Sequence, residues 1–482
     1  MGSRRNHLGR DKPVRHSLPG AQAPQRRCIA GQQSLSAALE RLHAFHVYCA
    51  RFSSDLAEAA ILQYTRPGQS VFDPFCGSGT SLVAAVAHGR SAVGCDIDLL
   101  AGMLSSVKCA ARSPQQYQRW KEPFVRRVAA AIRRIAEHWG SGGWRARPDP
   151  GSVLRVGSLH LPVPVFAQLN YWFAPQVVAA LSAIATEARG CDDPHFQQVA
   201  LIALSSCIIS KWPTTLSYAM DIDHTRPHRR LQRIPLDRVL RTYIRRLERA
   251  VWCLGQLHGI YAAAGAADSA DRPARVICPH DARQPLEAAP AASQSLILTS
   301  PPYFNAVDYP RSHRASVCWM NGHDAGELVS RNQYIGLRYA GGFDAEQWLR
   351  QHSEIRRLFP PHLSPQQPLG RRLCAFYADL EQVLHQSWHA LRPGGHALYV
   401  IGDNVVRGRR IGAPAVLAAL GRCAGLELIQ ARPRTIASDR RRFPTGPFGF
   451  DGPMTHEHCV VFRKPAQHHK GVQIGGSTRA RI

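Results

Sequence analysis

The chain has 482 residues, enough for two or three domains, and its 45% hydrophobic share is that of an ordinary globular protein. Lys and Arg number 60 against 34 Asp and Glu, a formal net charge of +26. That imbalance suits phosphate contacts and makes nucleic acid the natural partner, against the plainer reading of a generally basic surface. Thirteen cysteines with no CxxC pair exclude a disulfide framework and point to reduced thiols in a cytosol. No run of about 18 apolar residues is present, so the sequence excludes a membrane-spanning helix. The N-terminus lacks a signal-peptide core and is read as cytoplasmic.

In chain order, residues 1–33 are basic and polar with Pro and Gly, and read as a disordered arm. A helical pattern starts near Ser34, and "DLAEAAILQYT" is a good helix with Asp55 near its start. "QSVFDPFCGSGTSLVAAVAHGRSAVGCDID" then reads as strand (Ser70 to Phe72), glycine turn, helix (Ser81 to His88), turn and strand (Ser91 to Cys95). That unit opens a doubly wound α/β fold. Residues 106–270 break the rhythm with long helical patterns such as "FVRRVAAAIRRIAEHW" and "PQVVAALSAIATEA". Nine arginines fall between Arg226 and Arg249, against Asp237 and Glu248 alone. The region reads as a mostly helical, basic insertion. The α/β pattern resumes over 271–464, with strands at "ARVICPHD" and "SLILTSPPY", a helix near Leu373 to Leu391, and the strand "HALYVIGDN". "GLELIQARPRTI" and "HEHCVVFRK" suit an antiparallel hairpin. In the second of these, His456, His458 and Cys459 alternate as in a strand and do not suggest a zinc site. Residues 465–482 read as a disordered tail.

Two turns carry chemistry. In "DPFCGSGT", Gly77 and Gly79 sit between a strand and a helix N-terminus, where backbone N–H groups are free and a ligand can approach closely. Asp73 ahead of them repels phosphate and suits an ammonium group. Asp96 ends the next strand, where an acid accepts hydrogen bonds from ribose hydroxyls. A ligand with an amino-acid end and a ribose fits S-adenosyl-L-methionine better than NAD or ATP. No Lys follows the glycines as a P-loop requires. In "SLILTSPPY", a buried strand runs into two prolines that stop its ladder at the carboxyl edge, where open α/β sheets hold their ligands.

Together "DPFCGSGT", "GCDID" and "TSPPY" resemble the S-adenosylmethionine-dependent DNA amino-methyltransferases that modify cytosine N4 or adenine N6 in restriction–modification systems. The resemblance covers roughly 43–105 and 272–464. It implies a Rossmann-like class I methyltransferase sheet, with a cofactor half over 34–105, a catalytic half over 271–464, and the insertion as candidate DNA-recognition region. It implies that Phe52, Asp73, Phe75, Gly77 and Gly79 hold the methionine end and ribose, that Asp96 takes the ribose hydroxyls, and that Asp281 contacts the adenine amino group. For Asp281 a plain turn aspartate in "HDAR" is an equal alternative. Ser300, Pro301, Pro302 and Tyr303 would form the pocket for a flipped base. Asn305 and Asp308 either shape that pocket or cap a helix.

In the resembled family serine ahead of the prolines is more common in cytosine-N4 enzymes, so the resemblance implies cytosine N4. The alternatives are adenine N6 in DNA, guanine N2 in tRNA, and a non-catalytic nucleic-acid-binding protein that keeps the fold. The implied partners are double-stranded DNA and a cognate restriction endonuclease, with no membrane. Cys278-Pro279 stands in the reverse order to the Pro-Cys of cytosine-C5 enzymes and one strand early, which argues against that chemistry.

Overall fold

The computed structural model describes residues 34–48, 51–140, 147–210, 215–218, 234–266, 273–304, 308–322, 329–337, 340–403, 405–406, 409–436 and 456–466. The N-terminal arm, most of the C-terminal tail (467–482), Asn305 and the arginine-rich start of the 226–249 stretch lie outside them. The first helices are α1 (Leu35–His43) and α2 (Ser54–Tyr64). A central sheet then begins with β1 (Ser70–Asp73), α3 (Thr80–Ala87), β2 (Ser91–Cys95) and α4 (Leu99–Cys109). The insertion supplies α5 (Pro114–Trp139), α6 (Pro175–Arg189), α7 (Pro194–Ile208) and α8 (Leu236–Ala263). It also holds a small hairpin, Val153–Val156 with Leu159–Pro162, that the helical reading did not anticipate. The sheet resumes with β3 (Ala274–Ile277), β4 (Gln294–Thr299), α9 (Tyr309–Asn321), α10 (Pro368–Ala390), β5 (Leu391–Gly402), α11 (Ala413–Cys423), β6 (Glu427–Thr435) and β7 (His456–Arg463).

The seven strands run in the order β6-β7-β5-β4-β1-β2-β3. Pairs from β5 through β3 are parallel, and β7 is antiparallel to both neighbours. The chain reverses its winding between β1 and β4, so the crevice beyond their carboxyl ends is the topological switch point. The expected hairpin of β6 and β7 is present, and His456, His458 and Cys459 lie on it as strand residues.

Strand periodicity divides the core into two layers. Val71, Leu296, Leu298 and Val400 face one layer with α2, α3, α4 and the insertion helices α6 to α8. Phe72, Ile297, Tyr399 and Ile401 face the other with α10 and α11. All six residues of β4 are buried, because it lies in the middle of the sheet between covered faces. The insertion helices therefore share a continuous apolar cluster with the first half of the sheet. Among the described residues no helix is long and apolar enough to cross a membrane.

Candidate active site at the carboxyl edge of the sheet

Both motif turns leave the sheet at the switch point. Asp73 closes β1 and is 1% exposed. Its Oδ1 accepts from the Phe75 N–H at 3.0 Å and from the Thr299 hydroxyl at 2.6 Å, and its Oδ2 accepts from the Ser81 hydroxyl. The carboxylate thus ties the glycine turn to the strand that carries Ser300. Burial pushes its pKa up to about 6, against the opposing effect of these hydrogen bonds.

Two glycines are required by the turn. Gly77 has φ +49°, and a Cβ there would lie 3.3 Å from the Tyr48 ring. Gly79 has φ +85° and would press on Ser105. From behind, α4 fixes the turn's carbonyls: Ser105 Oγ donates to Gly77 O at 2.6 Å and Lys108 Nζ donates to Ser78 O at 2.8 Å. Lys108 is 1% exposed and lies 3.1 Å from His43 Nδ1. Burial drives the pKa of both groups down. With these carbonyls occupied behind it, the turn is anchored on its inner side.

Asp96 follows β2 and is half-buried. Its Oδ2 accepts from the Gly77 N–H at 2.8 Å and its Oδ1 from the Asp98 N–H at 2.9 Å. Burial first, and the neighbouring Asp98 charge second, raise its pKa to about 7. The structure thus brings Asp73, Phe75, Gly77, Gly79 and Asp96 to one turn. Phe52 packs at the edge of the same apolar cluster, in a segment whose Ser54 donates to Glu40 by both its N–H and its hydroxyl.

Asp281 follows β3 and is held by Arg283, whose backbone N–H, Nε and Nη2 all donate to the carboxylate at 2.6–3.1 Å. Arg283 also donates to buried Asp379 at 3.0 Å. The carboxylate is thus oriented by an arginine of its own turn, an arrangement compatible with either reading of Asp281. Arg283 outweighs burial and keeps the Asp281 carboxyl below its ordinary range.

After β4, Pro301 is buried while Ser300, Pro302 and Tyr303 are half-buried. Ser300 Oγ donates to the Tyr303 hydroxyl at 3.4 Å, a long contact. Burial, then the Glu457 carboxylate on β7, push the Tyr303 phenol upward. Tyr303 rests on the layer that includes α10, with Phe304 buried behind it against Phe376. Asp308 caps α9 by accepting from the Arg311 N–H at 3.2 Å and pairs with Arg331 at 2.7 Å, which is the helix-capping alternative.

Sequence reasoning missed Thr299, Ser81, Tyr48, Lys108 and His313. Lys108 had a signal: it sits one turn after Leu104 on the buried face of α4, where a lysine needs a partner. Thr299 and Asp73 are 226 residues apart, and no local pattern links them.

The strand order, with one antiparallel strand and a glycine turn at the switch point, defines the Rossmann-like class I methyltransferase sheet that was expected. Residues 27–100 match the family described as DNA methylase. Over 148 residues the chain is 29% identical to the Type II methyltransferase M.MvaI of Kocuria varians, a stretch covering 30% of this chain and 29% of that protein. The chain therefore matches less than a third of the length of that curated relative. Among solved structures, TTHA0409 from Thermus thermophilus, complexed with S-adenosyl-L-methionine, is 21% identical with a TM-score of 0.21, covering 40% of this chain and 57% of that one. The rRNA methyltransferase aviRa from Streptomyces viridochromogenes is 12% identical with a TM-score of 0.32, covering 90% and 95%. The resemblance to S-adenosylmethionine-dependent DNA amino-methyltransferases read from the motifs is borne out by the family and curated matches, and with it that family's cofactor.

Proposed function

We propose that this protein transfers a methyl group from S-adenosyl-L-methionine to an exocyclic amine of double-stranded DNA, with cytosine N4 as the target. The observation that carries this reading is the 2.6 Å bond between Thr299 and Asp73. It clamps together the turn suited to the cofactor and the turn suited to the base, on adjacent strands at the switch point.

When bound, the cofactor supplies an electrophilic methyl group on a sulfonium. The glycine turn accommodates the methionine end close to its backbone, with Phe52 and Phe75 alongside and Asp73 beneath it as a negative charge. Asp96, already oriented by two N–H groups, accepts the ribose hydroxyls. Asp281 borders the adenine end, with its charge kept by Arg283. An exocyclic amine is a poor nucleophile because its lone pair is delocalised into the ring. Ser300 Oγ and the Pro301 carbonyl accept its hydrogens and direct the lone pair. Pro301 and Pro302 hold the turn rigid, and Tyr303 offers its face to a base swung out of the duplex. Positioning supplies much of the rate, and no covalent bond to the protein is needed.

The insertion supplies the electrostatic footprint for the duplex. The solvent face of α8 carries Arg241, Arg245 and Arg249, with Trp252 half exposed at 52% and stacked under the Arg249 guanidinium at 4.8 Å. Asp237 pairs with Arg241 at 2.6 Å but leaves the stripe strongly basic. Such arginines fit phosphates and give salt-sensitive binding. The likeness to a Type II methyltransferase supports a cognate restriction endonuclease as partner.

Purified protein incubated with methyl-labelled cofactor and either duplex DNA or tRNA tests the reading. Label in DNA, recovered as N4-methylcytosine, is expected. Label in N6-methyladenine overturns the choice of base, and label in tRNA alone overturns the choice of substrate.

A further inference from the structure

Helix α9, which follows the TSPPY turn, buries polar side chains: Ser312, His313 and Ser316 are all nearly inaccessible. His313 Nδ1 lies 3.1 Å from both carboxylate oxygens of Asp98, and both residues are buried. Asp98 also caps α4 by accepting from the Ala101 N–H at 2.9 Å. Its own N–H donates to Asp96 Oδ1, and Asp96 Oδ2 accepts from the Gly77 N–H. The links His313–Asp98–Asp96–Gly77 run unbroken from the helix behind the base turn to the glycine turn.

A second connection runs beside the first. The Tyr48 ring lies 5.3 Å from the His313 ring and stacks 6.0 Å from Tyr309. Its Cε1 lies 3.3 Å from where a Gly77 Cβ would stand. One turn further along α9, Ser316 Oγ lies 2.9 Å from Ser205 Oγ on α7, which in turn lies 2.9 Å from His46 Nε2. Helix α9 therefore ties the insertion, the segment ahead of the glycine motif and the cofactor acid into one buried polar network. Burial alone would raise the Asp98 pKa, and His313 overrides it and keeps that carboxyl below its ordinary range. A buried pair is weak grounds for stability. Its position beside Asp96 is what gives it a functional meaning.

We propose that His313 is a positioning residue that fixes Asp98, and through it Asp96 and the glycine turn, so that cofactor affinity depends on the helix carrying the base turn. This rests on the reading of Asp96 as the ribose acceptor. Titration calorimetry of the full chain with S-adenosyl-L-methionine, together with steady-state kinetics on duplex DNA, tests it. Losing one charge-assisted hydrogen bond in His313→Ala should weaken cofactor binding on the order of tenfold and raise the cofactor KM in proportion, with kcat changed by less than about twofold. His313→Asn, which keeps a donor near the Nδ1 position, should recover most of the loss.

Unchanged affinity in His313→Ala while Asp96→Asn weakens binding overturns the proposal alone. Unchanged affinity in Asp96→Asn overturns the reading of Asp96 and this route with it. His313→Asn no better than His313→Ala also contradicts it. If His313→Ala fails to fold, His313→Asn is compared with His313→Gln, whose amide reaches past the Nδ1 position. Equal cofactor affinity in those two overturns the proposal, and weaker binding by the Gln variant supports it.

Discussion

The glycine turn after β1 and the proline turn after β4 emerge side by side, yet they are held in different ways. The glycine turn is fastened by side chains from several directions: Asp73 with Ser81 and Thr299, Asp96 at the Gly77 N–H, and Ser105 and Lys108 at its carbonyls. The proline turn carries two locked φ angles, and among the described residues the Ser300 hydroxyl meets a long 3.4 Å contact to Tyr303. The contrast suits two tasks. A cofactor site gains from donors and acceptors fixed in advance. A site that must polarise an incoming amine gains from acceptors whose lone pairs are not already consumed.

The largest effect that should sharpen this comparison is at Ser300. Ser300→Ala should lower kcat on the order of 100-fold, the usual cost of one charge-directing hydrogen bond, while calorimetry finds cofactor affinity within about twofold of the parent. Equal losses in both would mean that the two turns do not divide the labour.

Next comes pH. On the proposed reading Asp96 accepts ribose hydroxyls as a carboxylate, and its pKa without a ligand is about 7. Cofactor affinity should therefore be full above that pH and fall as pH drops through it, by up to about tenfold per unit. In Asp96→Asn the affinity should be lower and should lose the fall centred near pH 7, leaving the one that Asp73 gives near pH 6. A pH-independent parent would contradict the assigned role.

Gly79→Ala should cost about 1–2 kcal/mol of stability in denaturant unfolding, because φ +85° disfavours a side chain and Ser105 Oγ would lie 3.1 Å from the new Cβ. The smallest effect is expected at Thr299. Thr299→Val removes one buried hydroxyl bond to Asp73 and should cost about 1 kcal/mol, with kcat falling more than cofactor affinity because the base turn loses its tether. A stability loss without any kinetic change would make that bond purely architectural.

The parts of the fold written in local patterns were legible in the sequence. Strands β1 and β4 lay between Gly and Pro punctuation, β2 lay between Gly89 and Asp96, and the helical period was read from Ser81, one residue after the observed start at Thr80. Pro433 in the last hairpin is tolerated because β6 is the edge strand of the sheet. The hairpin at 153–162 was missed because its residues are short in run and largely exposed, so no face repeats. In the site, the residues that line the turns could be named, while those that brace them could not. Thr299, Lys108, Tyr48 and His313 act across distances of 29 to 226 residues, where the pairing of β1 with β4 brings in Thr299 and tertiary packing brings in the others. Asp281 shows the converse: its strand-end position was legible, but its bond to Arg283 two residues on was not.

The most direct test of the central claim is to express the chain in a bacterial host free of DNA methylation. Host DNA is then mapped by single-molecule sequencing, and its digested nucleosides are analysed by mass spectrometry. N4-methylcytosine confined to one short sequence motif is the predicted result. N6-methyladenine would keep the transfer but overturn the reading of Ser300, and host DNA without any modified base would contradict the account of this site as a DNA methyltransferase.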